Sequence, residues 1–271
     1  MSELSQVIAA LTADAAEVDA LVADLDPARW RLPTPAEGWT TADQIGHLAF
    51  IFRIAGMAAG RPAAFQELTA RVADVGFDAA VNAALADYAQ HQPPALLARW
   101  RSERDAGIRA LAAVPAGQVV PWLVNPLPPD VLARAGMMEL FGHGQDIADA
   151  LGVARVHTDR IGHLVGFGVR TWEFGYQARG QQPPAEPFRF ELTAPSGALW
   201  TYGPAGAAQC VRGPAVDFCL LVTRRRHRAD LALTAVGRAA DDWLDIAQAY
   251  RGPAGPGRRP GQFTPVHQTQ H

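Results

Sequence analysis

The chain contains no lysine, so all 24 of its basic residues are arginines. This absence excludes a Schiff-base lysine, the lysine of a phosphate-binding P-loop and a lysine general base. Cysteine is also scarce: Cys210 and Cys219 are nine positions apart and form neither a C-x-x-C motif nor a zinc-ligand cluster. We interpret both as buried free thiols, with a disulfide between them as the alternative.

Strong charge of one sign and long hydrophobic runs are missing as well. The formal net charge is −3, which provides no general basic surface for nucleic acid. No apolar run approaches membrane-spanning length, and no basic segment followed by an apolar one opens the chain. We therefore expect a cytoplasmic protein that has neither a nucleic-acid partner nor a membrane partner. Its 271 residues, 49% of them hydrophobic, suffice for one large or two ordinary domains.

The first two thirds of the chain show the apolar spacing of amphipathic helices. Thr41 is a candidate N-cap for the second helix, with Gln44 three residues later as in a capping box. The predicted helices span residues 4–25, 41–60, 65–90, 94–114, 130–151 and 157–179.

The sequence pattern changes after the proline pair at residues 183–184. Alternating apolar and polar residues from Phe188 to Thr193 predict a strand. Further strands are predicted at 199–202, 208–211 and 231–235, and helices at 214–223 and 239–249. We therefore predict a helical domain over residues 1–183 and a small α/β domain over 184–251. The residues from 252 to 271 are rich in glycine, proline and polar side chains, which predicts a disordered tail.

Three potential metal ligands recur on one face of the helix at 130–151. Glu139, His143 and Asp146 are separated by four and three residues, and their neighbours are apolar. A carboxylate and an imidazole on an apolar helix need a partner, and a metal ion is one that satisfies both. On spacing alone, a partly exposed polar stripe with a Glu–His contact is the commoner arrangement.

A third candidate ligand lies far upstream. His47 falls on the apolar face of the helix at 41–60, together with Ile51 and Ile54. A single histidine in such a place is usually a core residue with a satisfied hydrogen bond. It also offers a third ligand to the pair formed by Glu139 and His143.

Two motifs carry a resemblance to a known family. The stretch Gly38-Trp39-Thr40 followed by His47-Leu48 resembles the signature of DinB-like metal-binding four-helix bundles. The stretch from Glu139 to Gly152 resembles the second metal helix of the mycothiol-dependent maleylpyruvate isomerase family, and Val120-Pro121-Trp122 is similar to that family too. The resemblance implies a fold class of α plus α/β: a DinB-like bundle over residues 1–180, then a sterol-carrier-protein-like domain over 187–250.

The resemblance also implies a metal centre. Its ligands would be His47, Glu139 and His143, which leave a coordination position open and suit Zn²⁺ or another divalent metal. Asp146 is expected to accept a ring N–H from a ligand histidine, and a simple surface acid is the alternative. Related sequences have a larger residue where this chain has Gly136, so we expect a larger pocket and a substrate that can differ from maleylpyruvate.

An arginine-rich run from Arg224 to Arg228 follows the helix predicted at 214–223. Such a run is usually a solvated loop. The functional interpretation is that Arg224 or Arg225 anchors a carboxylate of the substrate, because a guanidinium stays charged and can bind both carboxylate oxygens.

The family resemblance implies a metal-dependent isomerase or thiol transferase. It would act on a small electrophilic substrate with a low-molecular-weight thiol such as mycothiol, as a monomer or homodimer. Two alternatives remain open. One is metal-dependent hydrolysis, cyclisation or rearrangement without a thiol. The other is a non-catalytic protein that binds a metal or a small ligand.

Overall fold

The computed structural model describes residues 2–75 and 77–263 and divides the chain into two compact units, Met1–Arg155 and Val156–His271. The first unit is helical and the second contains a four-stranded sheet, which confirms the predicted fold class. None of the helices in these ranges is long and apolar enough to cross a membrane.

The helical unit contains six helices within the described ranges. The predicted helix at 65–90 overlaps two described helices, one that ends at Val75 and one that begins at Phe77. The helices are α1 (Glu3–Val22), α2 (Thr41–Gly60), α3 (Pro62–Val75), α4 (Phe77–Ala89), α5 (Pro93–Ala112) and α6 (Pro129–Leu151).

The core of this unit lies among α1, α2, α5 and α6. Large apolar side chains fill it, and each of the following is at most 2% exposed: Leu11, Leu48, Phe52, Trp100, Leu111 and Met137. A glycine pair brings α2 and α5 together, because a Cβ atom on Gly56 would lie 2.9 Å from the Cα of Gly107. This close contact sets the position of α2 along α5, and with it the position of the side chains that α2 carries.

The helix α6 begins at a proline in its first turn and ends at Gly152, whose φ of +67° is the left-handed geometry of a helix C-cap. Two of its internal glycines lie against α1. A Cβ on Gly136 would be 3.3 Å from Leu11 Cδ1, and one on Gly144 would be 2.9 Å from Val18 Cγ2. The expectation that Gly136 enlarges a substrate pocket is therefore wrong, because its missing side chain is replaced by a packed leucine.

The N-cap of α2 lies one residue before the predicted cap. Thr40, not Thr41, is the N-cap: its Oγ1 accepts from the N–H of Asp43, and the Asp43 carboxylate accepts from the N–H of Thr40. The capping box is therefore Thr40 with Asp43. Gln44 has no capping role and is fully buried.

The second unit is built on a sheet with strand order β2-β1-β3-β4. The strands β1 and β3 are parallel, and the other two neighbouring pairs are antiparallel. Its elements are α7 (Gly162–Arg170), α8 (Phe174–Gln177), β1 (Phe188–Thr193), β2 (Leu199–Tyr202), β3 (Gln209–Pro214), α9 (Ala215–Val222), β4 (Thr234–Val236) and α10 (Arg238–Ile246).

An aromatic cluster joins the sheet of this unit to its helices. Phe190 on β1 meets Phe218 on α9 and Trp243 on α10 edge to face, with ring centroids 5.6 and 5.5 Å apart. Cys210 and Cys219 are both buried and form no disulfide among the described residues, as the preferred interpretation of the sequence expected.

The compact units divide the chain after residue 155, whereas the sequence pattern places the boundary at 183/184. The reason is that α7 packs against α9: a Cβ on Gly168 would lie 2.9 Å from the ring of Phe218. The proline pair thus marks where strands begin rather than where the second unit begins. Independent folding of a 1–183 and a 184–251 domain stays a prediction for limited proteolysis.

The predicted tail makes ordered contacts along part of its length. Residues 252–263 contain no helix or strand, yet the N–H of Gly261 donates to Asp230 over 2.8 Å. The Arg226 guanidinium lies 3.9 Å from the centroid of the Phe263 ring. The remainder of the predicted tail, residues 264–271, lies outside the described residues.

Candidate metal centre

Helices α2 and α6 bring His47, Glu139 and His143 together. The Nε2 atoms of His47 and His143 lie 3.4 and 3.2 Å from Oε2 of Glu139, although His47 and Glu139 are 92 residues apart. One ligand atom from each residue lies within 4.8 Å of the others. The three residues that the family resemblance selected therefore form a single cluster.

The cluster is half-buried, with 15%, 22% and 14% of the His47, Glu139 and His143 side chains exposed. Burial raises the pKa of Glu139, but hydrogen bonds to His143 and His47 outweigh this effect and hold its pKa well below the usual value. Glu139 is therefore an ionised carboxylate beside two imidazoles, and a minor part of each side chain is exposed.

Trp39 forms a wall of the site. Its ring centroid lies 5.4 Å from that of His47 and 5.8 Å from that of His143, and it stacks on His143. The loop that carries Trp39 is held by a backbone bridge between Pro33 and Thr40. The sequence marked Trp39 as part of a motif, and the structure adds that it contacts both histidines.

Gln44 is a site residue that the sequence analysis did not select. Its Oε1 atom lies 2.5 Å from Nδ1 of His143, and its Nε2 atom lies 2.8 Å from Oγ1 of Thr34. Its position three residues before His47, on the same face of α2, could have indicated a place near the site. We missed this because we had assigned Gln44 to a capping box.

Asp146 lies one turn beyond His143 and is completely buried. The alternative that it is a simple surface acid is therefore wrong. We expected it to accept a ring N–H from a ligand histidine; at Nδ1 of His143 the neighbouring acceptor is Oε1 of Gln44. A supporting role of Asp146 at the metal centre stays a prediction.

The arginine run is half-buried throughout, so it is not a fully solvated loop. Arg224 adopts a φ of +57°, unusual for a residue with a side chain, and Arg225 donates to the carbonyl of Thr223. A cavity of about 150 Å³ in the second unit is lined by Arg224, Arg226, His227, Arg228, Asp245 and Arg258, among others. Substrate contacts by Arg224 or Arg225 stay a prediction.

Two histidines and a glutamate converge between the helices of this bundle. The fold and the cluster together place the protein in the class of helical bundles that carry a candidate metal centre. Comparison with known families is consistent with this class: the profile described as mycothiol maleylpyruvate isomerase N-terminal domain matches residues 11–148. The chain belongs to this family. A second profile, described as wyosine base formation, matches residues 184–236, where we expected a sterol-carrier-protein relationship.

Relatives and solved structures extend the comparison. Two uncharacterized proteins of Mycobacterium tuberculosis, from strains CDC 1551 and H37Rv, are each 45% identical over 260 residues, which cover 95% of this chain and 100% of theirs. The crystal structure of a mycothiol-dependent maleylpyruvate isomerase is similar with a TM-score of 0.59 and 15% identity, over 86% of this chain and 92% of that one. A histidine-to-alanine mutant of that enzyme gives a TM-score of 0.58 with the same identity and coverage.

Proposed function

We propose that this chain is a metal-dependent enzyme that uses a low-molecular-weight thiol, such as mycothiol, for isomerisation or sulfur transfer on a small electrophilic substrate. The observation that carries the proposal is the convergence of His47, Glu139 and His143 within 4.8 Å in a member of the mycothiol maleylpyruvate isomerase family.

The donor set fits a divalent metal ion. Two imidazoles and one carboxylate are ligands that zinc accepts, and iron, nickel or manganese can use the same set. Structural zinc sites normally have four protein ligands, so three ligands favour a site with an open position. An ion held by these residues would supply Lewis acidity: it would lower the pKa of a thiol bound at the open position and favour the thiolate at neutral pH.

The protein's own side chains prepare the site for this chemistry. Ionised Glu139 contributes negative charge that balances a cation, and the Trp39 ring excludes water from one side of both imidazoles. The three side chains are 14–22% exposed, so solvent reaches the cluster.

An external thiol is favoured because the chain's own thiols are poor nucleophiles. Burial raises the pKa of the Cys210 thiol, and Cys219 is completely buried. A thiol with a raised pKa is mostly protonated at neutral pH, and the thiolate is the reactive form. The sulfur that attacks the substrate would therefore come from a cosubstrate.

The test begins with metal analysis of protein purified without a chelator, together with the variants His47→Ala and Glu139→Gln. We expect a near-stoichiometric divalent metal in the wild type and background levels in both variants. Turnover of maleylpyruvate and other small electrophiles is then measured with mycothiol, with a different thiol and without thiol. Thiol-dependent turnover that needs the metal supports the proposal.

The other outcomes distinguish the alternatives. Metal-dependent turnover that does not need a thiol would identify hydrolysis, cyclisation or rearrangement as the activity. Stoichiometric metal without turnover of any tested electrophile would favour a binding protein. A wild-type protein that binds no divalent metal would overturn the proposal itself.

The arginine run has a separate test within this proposal. If Arg224 or Arg225 anchors an anionic substrate, its replacement by alanine raises KM for that substrate and leaves the metal content unchanged. Unchanged kinetics in both variants would assign the run a structural role in the second unit. The cytoplasmic location and the monomeric or homodimeric state also stay predictions.

A further inference from the structure

We infer that Gln44 is a positioning residue of the proposed metal centre: it holds the proton of His143 on Nδ1 and so leaves Nε2 bare to bind a metal ion. This inference rests on the metal dependence proposed above. It assigns a role to a buried glutamine that is not itself a candidate ligand.

The Trp39 carbonyl oxygen, which can only accept, sets the direction of the hydrogen bonds from Thr34 to Gln44 and from Gln44 to His143. The Trp39 carbonyl can only accept, so the Thr34 hydroxyl, 2.9 Å away, donates to it. Oγ1 of Thr34 then accepts from the atom of Gln44 that lies 2.8 Å away, and only the amide NH₂ can donate. The amide oxygen must therefore face His143.

The orientation of the Gln44 amide determines which nitrogen of the His143 ring carries a hydrogen. An amide oxygen is only an acceptor, so Nδ1 of His143, 2.5 Å away, must carry a hydrogen. In the neutral ring the other nitrogen, Nε2, then has a lone pair and no hydrogen. In the protonated ring Nε2 also carries a hydrogen, which Oε2 of Glu139, 3.2 Å away, accepts. A metal ion would take the place of that hydrogen, while the hydrogen on Nδ1 stays on the side of Gln44.

The Gln44 and Thr34 side chains in this hydrogen-bond chain are buried, and backbone hydrogen bonds fix the loop that carries Thr34. Gln44 is fully buried and Thr34 is 8% exposed, so water cannot readily replace their contacts. The backbone N–H of Thr34 also donates to the Trp39 carbonyl over 2.8 Å, and the N–H of Thr41 donates to the Leu32 carbonyl over 3.0 Å. A flip of the Gln44 amide would put NH₂ against the ring N–H and the amide oxygen against an acceptor, at a cost of two buried hydrogen bonds.

His47 provides an internal contrast. Its Nδ1 atom is buried and has no hydrogen-bond partner among the described residues. Its ring is oriented by contact with Trp39 and by its position on α2. Loss of Gln44 should therefore affect one ligand histidine and spare the other.

The experiment compares the variants Gln44→Leu and Gln44→Glu with a matched control, Gln145→Leu. Gln145 is also a buried glutamine of the helical unit, 7% exposed, but its amide donates to Asp149. Zn²⁺ alone is added to metal-free protein, and its affinity is measured by competition with a chromogenic chelator. We expect roughly 10–100-fold weaker binding for Gln44→Leu. Glutamate at 44 can still accept the ring N–H, so Gln44→Glu should remain within a few-fold of the wild type.

A second readout does not depend on metal binding. Long-range ¹H–¹⁵N correlation spectra of the metal-free protein report which ring nitrogen of His143 is protonated. We expect the hydrogen on Nδ1 in the wild type and in Gln44→Glu, and a shift toward Nε2 in Gln44→Leu. A general loss of folding would instead disturb the signals of all histidines and the thermal transition.

The outcomes separate this inference from the proposed function. Wild-type Zn²⁺ affinity in Gln44→Leu, equal weakening in Gln145→Leu, or a wild-type His143 without a hydrogen on Nδ1 would each overturn the positioning role. A wild type that binds no Zn²⁺ would instead contradict the proposed metal dependence, and the spectra would still test whether Gln44 holds the proton. If Gln44→Leu does not fold, the failure of Gln44→Glu to retain affinity is decisive against the inference.

Discussion

Each unit of the molecule contains a glutamate held between two basic side chains. Glu139 lies between His47 and His143, and Glu191 on β1 is bound 2.6 Å from Nε of Arg189 and 2.6 Å from Nε of Arg212. Both glutamate side chains are 22% exposed. Both carboxyl groups have lowered pKa values, that of Glu191 because of hydrogen bonds to Arg189 and Arg212. The exposed fraction of the glutamate side chain and the direction of its pKa shift therefore do not distinguish the two clusters.

The chemistry of the partners does distinguish them. A guanidinium offers hydrogens and no lone pair, so the two arginines occupy one oxygen of Glu191 each and complete its hydrogen bonding. An imidazole can offer a lone pair, and both rings approach the same oxygen of Glu139. One cluster is an ion-pair network, and the other brings together three groups that can each offer a lone pair, within 4.8 Å of one another. A candidate ligand site is recognised by converging lone pairs rather than by converging charges.

The strongest test of this comparison removes the charge of each glutamate in turn. Glu139→Gln should lower Zn²⁺ binding by more than the roughly 10–100-fold expected when only a hydrogen-bond partner of a ligand is lost. Glu191→Gln makes the same chemical change and should leave Zn²⁺ binding unchanged. Chelator competition on both variants measures the effect. Equal loss in the two proteins would show that overall charge, and not the ligand set, controls binding.

A smaller effect is expected from the packing that holds the first cluster. A Cβ on Gly107 would lie 2.6 Å from the carbonyl oxygen of Phe52, so Gly107→Ala pushes α5 away from α2, the helix that carries His47. We expect a loss of stability of about 1–3 kcal/mol, accompanied by weaker Zn²⁺ binding. Thermal unfolding and chelator competition test both parts. Unchanged metal affinity in a destabilised protein would separate the site from this helix contact.

Gly166 in α7 is the matched control for that substitution. A Cβ there would meet nothing within 4 Å, so Gly166→Ala should gain roughly 0.5–1 kcal/mol from helix propensity alone. Zn²⁺ affinity should not change. A destabilising effect in thermal unfolding would show that glycine substitutions in these helices are harmful for reasons other than close contact.

The smallest effect concerns the pH dependence of the Glu191 cluster. The folded-state pKa of Glu191 is lowered, so its contribution to stability is fully present above the pKa of the unfolded chain, about 4.3, and is lost as pH falls through the folded-state value. The difference in Tm between wild type and Glu191→Gln should exist at neutral pH and disappear in acid. High salt should reduce it, because the pairs are partly exposed. A difference that persists in acid would indicate a packing effect.

The sequence predicted the two clusters to different degrees. Glu139 and His143 could be paired from their spacing of four residues, but only the family resemblance selected His47, because helical periodicity does not specify which helices pack together. The Glu191 cluster was not predicted, although it follows from strand geometry. Arg189 is two residues before Glu191 on the same strand, and Arg212 is its partner in the parallel register.

Two other differences have local physical causes. The start of α2 could be assigned in two ways, because Thr40 with Asp43 and Thr41 with Gln44 both satisfy the spacing of a capping box. The choice depended on which side chain was buried, and burial follows from tertiary packing. The half-burial of the arginine run was also unpredictable, since residues 256–258 and Phe263 contact it from a segment whose composition resembles a disordered tail.

The contacts around the candidate centre have a consequence for how the chain can change in length. The contacts that join the three candidate ligands to one another, to Trp39 and to Gln44 involve two short stretches, Thr34–His47 and Glu139–His143. An insertion inside either stretch would shift Trp39, Gln44 or a ligand out of register. Insertions in the connections between helices from residue 61 to residue 128 would leave the lengths of both stretches unchanged. Homologues should therefore vary in length in that interval while the two stretches keep theirs.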